Sequence, residues 1–403
     1  MTGTSDEAKN ILEVGALHRV MVLFQKAEEL PASVVFLIQI LGAGLVGLVW
    51  RLVGAPPEVA ILGSMVIVLA GGADVVLLRW LPRERISFGP WKPQTVVLLI
   101  PRVVAGLAST TGALIAGWSA VLMGLSFVQG AGLLVLLWAT AVEPRRLALT
   151  HLELEIDSLP PGAEPLRVLH ISDIHLERFT EREKRLLDLA RKARPDMIVI
   201  TGDYLNLSYN RDEIALQQVA QLLAQLEAPH GVYATLGSPP VDLREVITPL
   251  LESLPLRLLR DEWTTVELKT GGSLVLMGVD CTHYIAQDAQ RLEELAATAP
   301  NSAPRVLLYH SPEIMPQAIG QMVDLYLCGH THGGQVRLPL VGPILTSSQL
   351  GRRYVMGHYC EGSTHLYVSR GVGMEGLSAP RVRLLAPPEI TLVTLRSSDA
   401  QVC

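Results

Sequence analysis

The chain has 403 residues, of which 49% are hydrophobic and 18% are charged, and its mean hydropathy is +0.34. This composition excludes a disordered chain and is too apolar for one ordinary water-soluble domain. The net charge of −6 argues against nucleic acid as a partner. The four cysteines form no CxxC pair, which argues against a disulfide framework or a zinc ribbon.

The N-terminal residues 1–31 lack the basic start, short apolar core and small-residue cleavage site of a signal peptide. We expect them to form a cytoplasmic segment, followed by a transmembrane helical region over residues 32–143. Four apolar stretches in that region approach the ~20 residues that a membrane span requires. They are roughly Ser33–Trp50, Val59–Leu78, Val97–Ala120 and Leu122–Val142.

The boundary between the last two stretches is weakly marked. No charge occurs over the 40 residues from Val103 to Val142, which is too long for a single span. We divide this run near residue 121 and expect about four helices, although three spans remain an alternative. Buried helices of a soluble domain are a weaker alternative, because soluble cores seldom contain uncharged runs of this length.

The basic residues near the span ends predict the orientation. The second loop contains Arg79, Arg83, Arg85 and Lys92, and Arg145 and Arg146 follow the last span. Since basic loops stay in the cytoplasm, we expect a multi-pass protein of the inner (plasma) membrane. Its N-terminus and its soluble domain would both be cytoplasmic.

Two charges fall within or beside the spans. We expect Arg102 to extend toward the basic second loop and Asp74, next to Gly71-Gly72, to lie in a helix-packing face. A transporter is disfavoured, because ion pathways usually need more charged groups than one intramembrane acid.

After Pro144 the pattern changes to short apolar runs that alternate with helical segments, which predicts a layered α/β domain over residues 144–403. The last third has several short strands and few helices, which favours mixed sheets. The predicted strands are Arg167–Ser172, Met197–Thr201, Val232–Leu236, Arg305–Tyr309 and Leu325–Cys328. The predicted helices are Glu181–Ala193, Glu213–Leu226 and Pro312–Ile319.

Aspartate and histidine occur where four of these strands end. The candidate metal ligands are Asp173, His175, Asp203, His310, His330 and His332. Strand ends form the ligand crevice of open α/β sheets, and His and Asp are ligands for borderline metals. One ion seldom takes six protein side chains, whereas two ions with a bridging carboxylate use them naturally. The alternative is that each histidine is an ordinary buried or surface residue.

Several motifs resemble those of the calcineurin-like metallophosphoesterase superfamily. They are D-x-H at 173–175, G-D at 202–203, the single His310 and G-H-x-H at 329–332. Three further segments are similar to those of a bacterial membrane-anchored branch of this superfamily: Cys328–Pro339, Gly351–Tyr354 and Tyr367–Gly371. The branch includes enzymes that cleave a nucleotide-linked diacylglucosamine lipid. The resemblance implies a sandwich of two mixed β-sheets flanked by helices.

The resemblance also implies roles for the six candidates. Asp173, His175 and His332 would hold a first metal ion, His310 and His330 a second, and Asp203 would bridge the two. The resemblance further implies that the protein hydrolyses a phosphoester or diphosphate. The attacking group would be a hydroxide activated by the two metal ions. The cofactors would be two divalent ions, with Mn, Fe, Zn and Ni all compatible with such ligands. The membrane anchor suggests a lipid or lipid-linked phosphate as substrate.

One family motif is broken. Where the family has Gly-Asn-His, this chain has Gly237-Ser238-Pro239. Ser238 therefore replaces the asparagine that serves the family as a metal ligand, and Pro239 replaces its catalytic histidine. Ser238 is a candidate weak ligand, but proline offers no donor, and the catalytic histidine is therefore unassigned. His230, His283, Asp242 and Arg244 are candidates to approach from elsewhere, although each is more often an ordinary surface residue.

Two functional hypotheses follow. The first is a membrane-bound metal-dependent phosphoesterase, in which Arg352 and Arg353 are candidate phosphate-binding residues. The second is a degenerate family member that binds metal or a ligand as a membrane scaffold or sensor.

Overall fold

The computed structural model describes residues 16–268 and 271–398. The chain forms two compact units, which we call the helical unit (Ala16–Val142 with Gly376–Val382) and the α/β unit (the remaining described residues from Glu143 onward). Residues 376–382 thus belong to the helical unit, although they lie within the predicted domain 144–403. The first 15 residues of the expected N-terminal segment, and Cys403, lie outside the described residues.

Among the described residues, four helices are long and apolar enough to cross a membrane, at Ala32–Leu52, Pro57–Trp80, Trp91–Ala113 and Trp118–Arg145. The individual α-helices are α1 (Ala16–Gln25), α2 (Ala32–Leu52), α3 (Pro57–Trp80), α4 (Trp91–Ala108), α5 (Thr110–Ala116) and α6 (Trp118–Leu137). The last break lies at Gly117, not near residue 121 as expected. Gly117 has a φ of 77°, which glycine adopts without steric cost and which ends the helix.

A buried polar network joins α3, α4 and α6. Arg102 Nε donates to Asp74 Oδ2 at 2.6 Å, and Arg102 Nη2 lies 2.5 Å from Asp74 Oδ1. Arg102 Nη1 donates to Gln129 Oε1 at 2.7 Å. Our expectation that Arg102 extends toward the second loop is therefore wrong, because its guanidinium pairs with Asp74 inside the unit. The apolar helices therefore contain a buried ion pair.

The α/β unit has two six-stranded sheets. The strands of sheet 1, in spatial order, are β1 (Ala148–Ile156), β14 (Glu389–Ser397), β2 (Leu166–Ile171), β3 (Met197–Thr201), β4 (Val232–Thr235) and β5 (Arg257–Leu258). The strands of sheet 2 are β12 (Gly357–Glu361), β13 (Thr364–Val368), β9 (Leu325–Cys328), β8 (Arg305–Leu308), β7 (Ser273–Gly278) and β6 (Glu262–Glu267). A small hairpin pairs β10 (Arg337–Leu338) with β11 (Gly342–Pro343).

Both sheets are mixed, as predicted. In sheet 1, β14 is antiparallel to β2, whereas β2 through β5 are parallel. In sheet 2, β7, β8, β9 and β13 are parallel, and β6 and β12 are antiparallel to their neighbours. The long parallel pair of β1 with β14 extends sheet 1.

Apolar side chains stack the elements in four layers. One core lies between the sheets and includes Val168 and Val199 of sheet 1 and Leu276 and Leu327 of sheet 2. Separate cores cover the outer faces of the two sheets. The covering helices are α7 (Glu181–Ala193), α8 (Glu213–Leu223) and α9 (Arg244–Glu252) on sheet 1, and α10 (Ile285–Thr298) and α11 (Met315–Gly320) on sheet 2. The predicted sandwich flanked by helices is confirmed.

Candidate metal centre

All six candidate ligands meet at the carboxyl ends of parallel strands. Asp173 and His175 follow β2, and Asp203 follows β3, in sheet 1; His310 follows β8, and His330 and His332 follow β9, in sheet 2. Two groups have donor atoms within 4.8 Å of one another: Asp173, His175 and His332, and Asp203, His310 and His330. All six residues are buried. The grouping matches the two ligand sets that the resemblance implies.

The carboxylate of Asp203 lies between the two groups. Its Oδ2 is 3.2 Å from His310 Nε2 in its own group and 3.6 Å from His175 Nε2 in the other. Its Oδ1 accepts a hydrogen bond from the backbone N–H of Ser238 at 2.7 Å. An oxygen shared in this way is placed to bridge two cations.

Outer contacts orient the imidazole rings. His310 Nδ1 lies 2.7 Å from the carbonyl oxygen of Thr201, so the ring donates there and its Nε2 keeps a free lone pair. That Nε2 is buried without a hydrogen-bond partner. His175 Nδ1 lies 3.1 Å from Glu375 Oε2, the carboxylate–histidine arrangement that raises ligand basicity. A buried ring nitrogen that faces a carboxylate, with the other ring nitrogen held by a carbonyl oxygen, suits a metal ion.

Backbone conformation at the centre is unusual. Asp173, His175, Asp203, His330 and His332 all have positive φ, between 40° and 71°. Such conformations cost energy for residues with a Cβ and cluster at functional sites. Glycines allow the close approach of neighbouring chain segments, because a Cβ at Gly329 or Gly371 would collide with the carboxylate of Asp173.

The electrostatics favour a cation at the centre. Burial alone would lower the pKa of His175, but the carboxylates of Glu375, Asp203 and Asp173 outweigh it and raise that pKa to about 9. Burial likewise opposes the charged form of His310, yet Asp203 raises its pKa to about 10. The opposing effects on Asp203, burial against the neighbouring histidines, leave its pKa below the usual range. The buried carboxylates thus stabilise positive charge at this site, and divalent ions supply such charge when they bind. The donor set, the His310 nitrogen that faces Asp203 and this charge balance fit metal ions.

Asp242 and Arg244 belong to the support of the site. The carboxylate of Asp242 accepts hydrogen bonds from the backbone N–H groups of Asp203, Tyr204 and Gly237 at 2.7–3.0 Å. Burial first, and then the charge of Asp203, raise the pKa of Asp242 to about 6. Arg244 donates to the carbonyl oxygens of Asp242, Gly237 and Cys281. Both residues therefore shape the loop that replaces Gly-Asn-His.

Other predicted residues lie in different surroundings. Ser238 is buried beside Asp203, whereas His230 is half-buried in the turn before β4. Arg352 donates to the carbonyl oxygens of Val341 and Pro343. Arg353 pairs with Glu361 at 2.8 Å and packs over the ring of Tyr354. These contacts show structural partners for both arginines, and their role in phosphate binding stays a prediction.

Sequence reasoning overlooked Glu375 and Arg383 and did not place His283. Arg383 is fully buried, and its Nη2 lies 3.0 Å from His332 Nδ1. Burial lowers the pKa of Arg383 to about 9, even though Asp173 opposes the shift. His283 lies against Ser238 and His330. A sequence signal for His283 existed, because the apolar run of β7 ends shortly before it, as with the other ligand-bearing strands.

The family model for calcineurin-like phosphoesterases matches residues 166–238. A metallophosphoesterase of Bacillus subtilis, YkuE, is 32% identical over 269 residues, which cover 65% of this chain and 90% of that protein. This chain belongs to the calcineurin-like metallophosphoesterase family. The family consists of metal-dependent phosphoester hydrolases.

Two further relatives are a phosphodiesterase and a transmembrane protein. The Escherichia coli phosphodiesterase YaeI is 28% identical over 242 residues, 58% of this chain and 83% of that protein. A zebrafish transmembrane protein with a metallophosphoesterase domain is 27% identical over 272 residues, 64% of this chain and 59% of that protein. Together with the four apolar helices, the second relative indicates a membrane protein.

Proposed function

We propose that this metallophosphoesterase is a two-metal enzyme of the inner membrane that hydrolyses a phosphoester or diphosphate bond in a lipid or lipid-linked substrate. The observation that carries the proposal is the pair of donor groups that share Asp203 Oδ2. The soluble α/β unit would be cytoplasmic, as the basic residues beside the spans indicate.

The residues would divide the work as follows. Asp173, His175 and His332 would hold one divalent ion, His310 and His330 the other, and Asp203 would bridge. When bound, two such ions supply Lewis-acid activation of the phosphoryl group and of the attacking water. Glu375, Thr201 and Asp242 orient His175, His310 and the Asp203 backbone, so that the donors are in place before the substrate arrives.

The membrane-spanning helices support a lipid-linked substrate. A hydrolase tethered to the bilayer meets substrates confined to that bilayer at a high effective concentration. The net negative charge of the chain also disfavours nucleic acid.

Turnover by the full-length chain in detergent tests the activity. An aryl phosphodiester is supplied with Mn²⁺, and we expect release of the aryl alcohol by the natural chain but not by Asp203→Ala. Asp188→Ala removes an exposed carboxylate on α7 and serves as the matched control, with unchanged rate. A natural chain that binds two ions yet turns over no faster than Asp203→Ala contradicts the proposal.

The substrate class and the sidedness need separate tests. A lipid-linked diphosphate in mixed micelles should have a higher kcat/KM than its water-soluble headgroup analogue, and equal values would contradict a lipid substrate. A fluorescent protein fused to the C-terminus should be active in the cytoplasm, whereas an alkaline phosphatase fusion at the same place should be inactive. The opposite pattern would reverse the orientation.

A degenerate binding protein is the second candidate, and Pro239 favours it. Proline at the position of the family's histidine offers no donor to a phosphate or a leaving group. Loss of a general acid costs about 10²–10⁴ in rate. If Ser238→Asn with Pro239→His raises turnover by orders of magnitude, the natural chain is an impaired catalyst. If the double change leaves a robust rate unaltered, other residues supply the missing role.

A further inference from the structure

His283 reaches the metal centre from the loop after β7. Its side chain is buried, with only 3% exposed. Its Nε2 lies 3.0 Å from Ser238 Oγ, and its ring centroid lies 4.8 Å from that of His330. The ring of His310 is 6.4 Å away. A histidine from a distant part of the chain thus stands beside the second donor group.

The position of His283 is built by its neighbours. Thr282 donates to the buried Asp288 through both its backbone N–H and its hydroxyl, at 2.8 and 2.5 Å. Arg244 donates to Cys281 and Gly237, and so ties the His283 loop to the loop of Ser238. His283 also has a φ of 62°, a positive value like those of the six candidate metal ligands except His310. Strain of this kind persists only where the surroundings impose it.

Ser238 connects His283 to the shared carboxylate. The serine is 2% exposed, its backbone N–H donates to Asp203 Oδ1, and its hydroxyl lies against His283 Nε2. A neutral hydroxyl is a weak metal ligand, because it carries no negative charge and its hydrogen must point away from the cation. An imidazole nitrogen that accepts the hydrogen bond of this hydroxyl keeps the oxygen lone pairs directed away from the ring and available to a cation.

We propose that Ser238 and His283 together complete the second metal site in place of the family's asparagine. Ser238 supplies the oxygen ligand, and His283 is the positioning residue that holds the hydroxyl proton. This inference rests on the proposed function, since it assumes that a second ion binds. It explains how the chain keeps five intact ligands around Asp203 without the asparagine that usually accompanies them.

Metal content of the full-length chain in detergent tests the inference, with Mn²⁺ as the probe. Equilibrium dialysis measures the number of ions and their affinities, and electron paramagnetic resonance distinguishes spin-coupled Mn²⁺ pairs from single ions. We expect two ions and a coupled signal for the natural chain. For His283→Ala and Ser238→Ala we expect 10- to 100-fold weaker binding of one ion, with the other unaffected. His365→Ala, at a half-buried histidine of β13, is the matched control and should keep both ions.

A rescue variant separates ligation from folding. Ser238→Asn in the His283→Ala background restores the family's ligand, and we expect it to recover the second ion. Failure to recover the ion would overturn the inference, as would a His283→Ala protein that binds both ions as tightly as the natural chain. A natural chain that binds one ion only would overturn the two-metal mechanism itself, and the inference with it.

Discussion

The two units of the chain treat buried charge in opposite ways. In the helical unit, Asp74 and Arg102 satisfy each other through two contacts, and Gln129 accepts a further Arg102 N–H. In the α/β unit, three histidine nitrogens are gathered around the two carboxylates of Asp203 and Asp173, with several donor atoms within 4.8 Å of one another. The Asp74–Arg102 pair balances its own charge and satisfies its own hydrogen bonds. The clustered carboxylates and imidazoles of the α/β unit instead offer several donor atoms that a cation can bind. Buried charge therefore indicates a ligand site only where the groups do not satisfy one another.

Removal of His310 should have the largest effect. His310→Ala deletes a member of the second donor group, and if that group holds an ion, its loss removes several kcal/mol of transition-state stabilisation. We expect kcat/KM to fall by about 10²-fold or more, together with loss of one bound Mn²⁺. Metal analysis and aryl phosphodiester turnover measure the two changes. Retention of both ions would place His310 outside the ligand set.

Breaking the Asp74–Arg102 pair should affect stability and not chemistry. Arg102→Met leaves Asp74 buried and uncompensated, which costs about 3–5 kcal/mol. The free energy of unfolding in a detergent–SDS titration measures this loss. The double variant Asp74→Leu/Arg102→Met should recover most of it, because the pair then has no unsatisfied member. A stable double variant without activity would instead give the pair a functional role.

Glu375 tests the orientation of the first donor group. Glu375→Ala removes the carboxylate beside His175 Nδ1 and should weaken the first ion by about 10- to 100-fold. Glu375→Gln keeps an acceptor oxygen without the charge, and its effect should be smaller. Competition with a fluorescent chelator gives the affinities. Equal affinity for all three proteins would show that the contact does not tune the metal.

The smallest effect concerns His170, a buried histidine outside the donor groups. Burial lowers its pKa to about 3, from 6.5. Since the unfolded chain binds the extra proton between these values, stability should fall as pH drops below about 6.5, by up to about 1.4 kcal/mol per pH unit. His170→Gln keeps a hydrogen-bonding group toward Thr201 but does not titrate. With both proteins free of metal, the natural chain should lose more stability between pH 7 and pH 5. Parallel curves would refute the assignment.

Local patterns were enough to predict much of the molecule. The strands Met197–Thr201 and Leu325–Cys328 and the helix Glu181–Ala193 have the predicted bounds, since apolar runs and periodicity depend on neighbouring residues. Helix Glu181–Ala193 also begins with a capping box from Thr180 and Glu183, another local signal. Pro312–Ile319 was misplaced, because the helix begins only at Met315.

By itself, the sequence determined which Asp and His residues follow the strand ends and where the apolar helices lie. Asp173 and Asp203 follow the parallel neighbours β2 and β3, and His310 and His330 follow the parallel neighbours β8 and β9, so strand order brings together each pair within its own sheet. Only the tertiary structure decided the partners that come from separate loops and helices. His283 meets Ser238 across 45 residues of chain, and Glu375 meets His175 across 200. Arg102 pairs with Asp74 for the same reason, since helix packing and loop paths set these contacts and no local pattern records them.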